Sequence, residues 1–371
     1  ATYGTNSSYN YLINGSKPVI VKAPGLVAPD FTWETVTQMD FGFDASFLNN
    51  RLTGTFDWYR RNTKDMLVAG ATLPATLGAS VPKSNSADMK TIGWELSLGW
   101  NDRLENGFSY WVKGVLSDYQ ATITKYAGND AGFYSQSDGD GKYYVGQKIG
   151  EIWGYHSNGL FQSDDEAATI DQSELYAGKW GAGDVKYEDL DNDGKITKGE
   201  ETIYNPGDKS IIGNKTPRYQ FGITVGFDYK NFDFEMFWQG TGKRDYMLSG
   251  AQFWGFTSQW DVPYTPALDY WTETNTDAYF PRPGWQNGGN RVTSDRYLQS
   301  AAYGRLKNLT VGYTIPKNLT TKWGISRLRL YVTGENLLTI TPLNDAFDPE
   351  TLGGMTYPIN RKVAIGLNLT L

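Results

Sequence analysis

The sequence predicts an all-β fold, an antiparallel transmembrane β-barrel with long loops on one rim. Three observations carry that expectation. Apolar and polar residues alternate with a period of two in several segments, nine segments in all read as long strands, and the connections between them are short and long by turns. A period of two gives each strand one apolar and one polar face, which suits a wall with lipid outside and water within. No apolar run reaches the roughly 20 residues of a membrane helix, a fact that leaves barrel strands untouched.

In the first segment, 38–48, Met39, Phe41, Phe43, Ala45 and Phe47 alternate with Asp40, Gly42, Asp44 and Ser46. Only Asn49-Asn50 separate it from the second, 51–64. The third, 90–101, carries Ile92, Trp94, Leu96, Leu98 and Trp100 on one face, and the short stretch "DRLENG" leads to the fourth, 107–123. The fifth, 217–229, alternates through Phe221, Ile223, Val225 and Phe227, and Lys230-Asn231 join it to the sixth, 232–245. The seventh and eighth, 302–315 and 327–340, are linked by Pro316 to Ser326, and the ninth, 360–371, carries Val363, Ile365, Leu367, Leu369 and Leu371. The remaining connections, 65–89, 124–216, 246–301 and 341–359, are long.

Short turns on one rim and long loops on the other match periplasmic turns and extracellular loops. Aromatics near strand ends, such as Trp58-Tyr59, Trp94 with Trp100, and Trp238, suit interfacial girdles. Asp40, Asp44, Glu95 and Gln220 are expected to line the interior. A soluble sandwich shares the alternation, but its strands usually run about 5 to 6 residues. Nine is odd, whereas bacterial single-chain barrels have even strand numbers. Either one strand goes unread or part of the barrel lies elsewhere.

Composition narrows the function classes. The 34 basic and 41 acidic residues leave a net charge of −7, which disfavours nucleic acid as a partner. With no cysteine and one histidine, His156, the chain has no disulfides, thiol chemistry or histidine-cluster metal site. "GTGK" (240–243) has Phe237 where a phosphate-binding loop needs glycine, and no G-x-S-x-G occurs, so no enzymatic activity is expected. The opening "ATYGTNSSYNYLING" has neither the basic start nor the apolar centre of a signal peptide and reads as the middle of something longer.

The sharpest motif is "DLDNDGKITKGE", residues 189–200. Asp189, Asp191, Asp193, Gly194 and Glu200 take positions 1, 3, 5, 6 and 12 of an EF-hand calcium loop. Alternate aspartates converge, the glycine turns the chain, the Lys195 carbonyl and Thr197 offer further oxygens, and Glu200 would close the site in bidentate fashion. The plainer reading is a solvated acidic turn, but so many matched positions favour a structural Ca2+. Flanking glycines and a Pro-Gly turn replace the helices of a sensor, so the motif is expected to staple the 124–216 loop. "DGDG" (138–141) is read as a turn.

The 246–301 loop is rich in aromatics interleaved with Asn, Gln, Asp and Arg. Trp254, Trp260, Trp271 and Trp285 are its candidate substrate contacts, since aromatic faces beside polar groups hold sugar rings or peptide side chains. The favoured reading is a loop that packs on itself or on a partner protein.

"YGRLKNLTVGYTIPK" (303–317), "RLRLYVTGENLLTITP" (327–342), "FDPE" (347–350) and "YPINRKVAIGLNLTL" (357–371) resemble the last barrel strands of SusC/RagA-like TonB-dependent outer-membrane transporters of Bacteroidetes. "VGQKIGEIWGY", "GDVKYEDLDNDGKIT" and "IIGNKTPRYQFGITVGFDYKNFDFEMFWQG" resemble the family's middle segments in the same order. The resemblance implies a plugged barrel of about 22 strands, of which this chain is the C-terminal part. It implies import of a nutrient, an oligosaccharide or a peptide, driven by the TonB complex and assisted by a SusD-like surface lipoprotein. The plug, the TonB box and the first strands are expected outside this chain, and Leu371 departs from the family's usual terminal aromatic. The alternative is a secreted, calcium-stabilised β-protein that binds glycans.

Overall fold

A computed structural model describes residues 31–69, 81–127, 143–352 and 359–371, with short pieces at 4–6, 15–16, 20–22 and 25–29 and single residues at 74, 76, 129, 132 and 357. All nine expected strands are present: β1 (Thr35–Phe47), β2 (Leu52–Ala69), β3 (Lys83–Arg103), β4 (Ser109–Tyr126), β5 (Arg218–Tyr229), β6 (Phe232–Lys243), β7 (Tyr303–Thr314), β8 (Arg327–Ile340) and β9 (Lys362–Thr370). They form one antiparallel sheet in which every strand pairs with its neighbours in sequence. Among the described residues β1 and β9 have one partner strand each.

The register explains the alternation. One cross-strand row runs through Phe47, Leu52, Trp100, Val112, Val225, Met236, Leu309, Gly334 and Val363, one residue from each strand. The next row, on the opposite face, is Ser46, Thr53, Gly99, Lys113, Thr224, Phe237, Asn308, Glu335 and Lys362. A slip of one residue anywhere would put charge on the apolar face, so the pattern fixes the pairing. The apolar face is largely uncovered, as at Phe41 and Ile365, because its solvent is lipid.

The polar face holds its own contacts. Asp44 accepts a hydrogen bond from the Thr55 hydroxyl at 2.6 Å, Glu95 stands opposite Asp57, and Arg329 of β8 pairs with Asp233 of β6. Trp58 and Trp94 are direct cross-strand partners on the apolar side, inside β2 and β3 rather than near the strand ends as expected. Tyr59 is a correction: it lies on the polar face, where its ring covers Gly93 so closely that a Cβ there would lie 2.5 Å from it.

Two strands are longer than the alternation suggests. The β2–β3 pairing shifts register between Thr63 and Met66, with Asp65 at φ 57°, and the β3–β4 pairing shifts at Asp88/Met89. A bulge inserts a residue and swaps faces, so period-two reading stops there although hydrogen bonding continues. The tight turns use left-handed residues, Leu48, Asn49 and Asn50 in one and Lys230 in another.

The buried core is not in the sheet. It is built from the long loops at one rim, where Tyr155, Tyr187, Ile196, Phe253, Phe280 and Tyr297 are almost wholly buried together. The ring centroids of Trp254 and Tyr297 are 4.5 Å apart, and those of Phe253 and Phe280 are 5.2 Å apart, both edge-on. Backbone bonds join the two largest loops: Tyr155 donates to Thr293 O at 2.9 Å and Arg282 to Gly183 O at 2.7 Å. Buried Asp184 accepts from Asn290 at 2.8 Å and Arg282 at 3.1 Å, so its carboxylate is paired inside this body. The last long loop is tied to the barrel wall, where buried Arg305 of β7 faces Asp348 and Glu350.

Candidate metal centre

The acidic loop is shaped by its own backbone. Asn192 and Gly194 are left-handed, at φ 61° and 85°, and the turn aims N–H groups inward. Asp189 accepts from Gly194 N at 2.7 Å and Asp193 N at 3.2 Å, Asp191 accepts from Asp193 N at 3.2 Å, and Asp193 from Lys195 N at 2.8 Å. Ile196 anchors the loop: its side chain is fully buried in the loop core, and its N–H donates to Asp171 O at 2.7 Å.

Asp189, Asp191 and Asp208 each bring a carboxylate oxygen within 4.8 Å of the others. Asp208 is fully buried, with one oxygen accepting from Leu190 N and the other from Thr197 N, both at 2.7 Å. Asp191 is pushed up in pKa by desolvation and by the nearby charges of Asp193, Asp208 and Asp189. Asp189 is also desolvated, but the N–H groups of Gly194, Asn192 and Asp193 outweigh this and hold it below the usual range. The donor set is all oxygen and strongly acidic, which fits a hard divalent cation such as Ca2+.

Glu200 is a correction. It is exposed and stands outside the three-carboxylate group, as does Asp193. Position 12 of an EF-hand rides on an exiting helix, and here the chain turns away instead, with Gly199 at φ 56° and Glu201 at φ 53°. Gly199 and Gly207 then pack backbone to backbone, and the returning chain places Asp208 beneath the loop. The Pro-Gly turn that replaces the exiting helix, "NPGD" at 205–208, carries the sign of this return, with Asp208 as its last residue. "DGDG" (138–141) lies outside the described residues.

The tryptophan set divides. Trp254 and Trp271 are buried in the aromatic core, which corrects their assignment as substrate contacts. Trp260 is 84% exposed and Trp285 46% exposed, so these two remain available to a ligand.

Comparison with known proteins accords with this architecture. The family described as TonB dependent receptor-like, beta-barrel matches residues 1–337. TonB-dependent receptor P3 of Formosa agariphila is 30% identical over 93% of this chain and 35% of its own length. TonB-dependent receptor SusC of Bacteroides thetaiotaomicron is 25% identical over 99% of this chain and 35% of its own length. The solved RagAB peptide transporter superposes with a TM-score of 0.73 at 21% identity, over 100% of this chain and 38% of that one. The chain spans about a third of the length of the curated relatives it matches. It belongs to the TonB-dependent receptor β-barrel family, is of the SusC/RagA type, and is an outer-membrane protein.

Proposed function

We propose that this chain is the C-terminal part of a TonB-dependent importer that takes up an oligosaccharide or peptide together with a SusD-like surface lipoprotein. The observation that carries the reading is the join between an open nine-stranded sheet with one continuous apolar row and a separately cored body of loops at one rim. The apolar row needs lipid, and the edges of β1 and β9, unpaired among the described residues, need further strands to close the wall. The loop body then covers the extracellular mouth, where Trp260 and Trp285 offer aromatic faces to solute or lid. The RagAB peptide transporter, which this chain resembles in fold, lends the peptide class, and the oligosaccharide class rests on the family resemblance of the sequence. Transport rather than bond breaking is the chemistry, in keeping with the family.

Calcium has a structural part in this reading. Asp189, Asp191 and Asp208 hold the ion, with the Lys195 carbonyl, Thr197 and Asp193 within the same loop, and the ion staples the 127–217 connection to the core through Ile196.

The full-length protein, purified in detergent from native outer membranes, tests the import reading. A SusD-like lipoprotein should co-purify, and titration calorimetry against panels of oligosaccharides and peptides should find a ligand in one class. Uptake of that ligand by cells should stop when TonB is removed. Uptake that continues without TonB would sink the proposal.

A further inference from the structure

Beyond Trp58 and Trp94 both strands run on, and the lipid-facing side of the wall changes character. Side chains alternate, so the next residues on that face are Arg60 and Asn62 of β2, which stand opposite Ile92 and Lys90 of β3. Arg60 and Lys90 are therefore diagonal neighbours on adjacent strands, about 7–8 Å apart and within reach of one ligand group. The register shifts only beyond Thr63, so both cations share the face of the indoles.

Both stand at the edge of the hydrocarbon. Counted from Leu52 and its partner Trp100, beside the short turns, Arg60 lies eight residues up β2 and Lys90 ten up β3. At about 3.3 Å per residue and a tilt of about 40°, these are heights of about 20 and 25 Å, where an apolar band about 25 Å tall comes to its end. Asp118 of β4 marks the same boundary. It is the cross-strand partner of Trp94, and Arg218 of β5 reaches it with both Nε and Nη2, next to left-handed Tyr219 at φ 54°. A matched ion pair on this face belongs where hydrocarbon gives way to headgroups.

Arg60 and Lys90 are not matched in this way. Arg60 is exposed and uses only its Nε, on Asn62 Oδ1 at 3.3 Å. Lys90 is half-buried, and among the described residues neither cation meets a carboxylate. The next acid out along β3, Asp88, accepts the Asp65 N–H at 2.9 Å and stands opposite Lys125.

We infer that the outer rim of β2 and β3 is a docking site for the phosphate of an anionic outer-leaflet lipid, held by Arg60 and Lys90 above the Trp58 and Trp94 pair. Two unmatched cations adjoin a face already given to lipid, so continuity with the acyl chains and charge complementarity select the same occupant. The guanidinium fork takes two phosphate oxygens, and the ammonium acts as a point charge on a third. The indoles below suit the junction of headgroup and chain, apolar in body and polar at the N–H. The inference rests on the outward-facing loop body of the proposed importer, but the site needs neither solute nor TonB.

Native mass spectrometry of the full-length protein in detergent, titrated with lipid A as a phosphorylated outer-leaflet glycolipid, reads the site. R60Q and K90Q should each weaken binding about fivefold, and the double variant about 25-fold, as should removal of the phosphates from the lipid. K90R keeps the charge and should bind as the wild type does. K113A, on the polar face, should change nothing. Equal binding of lipid A and its dephosphorylated form would overturn the site, as would a double variant equal to the wild type. Displacement of lipid A by an equal concentration of inorganic phosphate would mark a site for the free ion and overturn it too. So would a loss in K113A matching that in K90Q, which would mean unspecific attraction. The titration contains no TonB and no solute, so uptake that persists without TonB would sink the import reading and leave this result standing.

Discussion

The Asp208 carboxylate accepts the Thr197 N–H at 2.7 Å, and so pins the far side of the acidic loop to the chain that returns after Pro206-Gly207. If Asp208 closes the calcium site in place of Glu200, D208N should weaken Ca2+ binding by about tenfold or more, because ligand charge sets affinity in such loops. E200Q should leave affinity nearly unchanged. Calorimetric titration with Ca2+ decides between them, and the reverse order of effects would restore Glu200. D191A should remove the protection that calcium gives the 127–217 loop against proteolysis.

Calcium binding should also depend on pH through Asp191. Its raised pKa means that the folded, metal-free loop holds a proton there more tightly than the unfolded chain does. That proton's contribution to stability is present below the unfolded pKa and is lost as pH rises through the folded pKa. The metal-free loop should therefore loosen with rising pH while Ca2+ affinity climbs, since the ion replaces the proton. Proteolysis of the loop in chelator at pH 4.5 and pH 7 measures the first effect, and calorimetry the second. A Ca2+ affinity that is flat across this range would contradict the assignment.

The nine strands were legible because one face of each meets lipid and the period of two therefore cannot drift. The row from Phe47 to Val363 is the physical form of that constraint. Legibility failed at Asp65 and Asp88/Met89, where bulges exchange the faces, and at Tyr59, whose ring alone does not say which face it takes. The metal loop was legible in its local part, since alternate aspartates converge over a few residues. Asp208 was not, because its position depends on a chain return that Gly199 and Gly207 make together. For the tryptophans the sequence offered composition only, and burial separates Trp254 from Trp260 although both sit in one aromatic loop.

That separation can be tested directly. W254A removes a buried indole packed on Tyr297 and should destabilise the loop body by about 3–5 kcal/mol. W260A and W285A should leave hydrogen exchange in the body unchanged and should lower solute binding. Exchange rates and ligand titration on the three variants distinguish the roles. Loss of binding in W254A alone, with the body intact, would return that residue to the ligand site.

Met236 stands in the middle of the apolar row, between Val225 and Leu309. M236R places a charge on the lipid face and should destabilise the barrel by about 2–4 kcal/mol if the site lies near the bilayer midplane. Its neighbour across the wall, Phe237, belongs to the polar row with Thr224 and Asn308, so an arginine there meets water and should be much better tolerated. Urea unfolding of the full-length protein in lipid vesicles gives both values. Equal effects of the two substitutions would mean that the two faces do not meet different solvents.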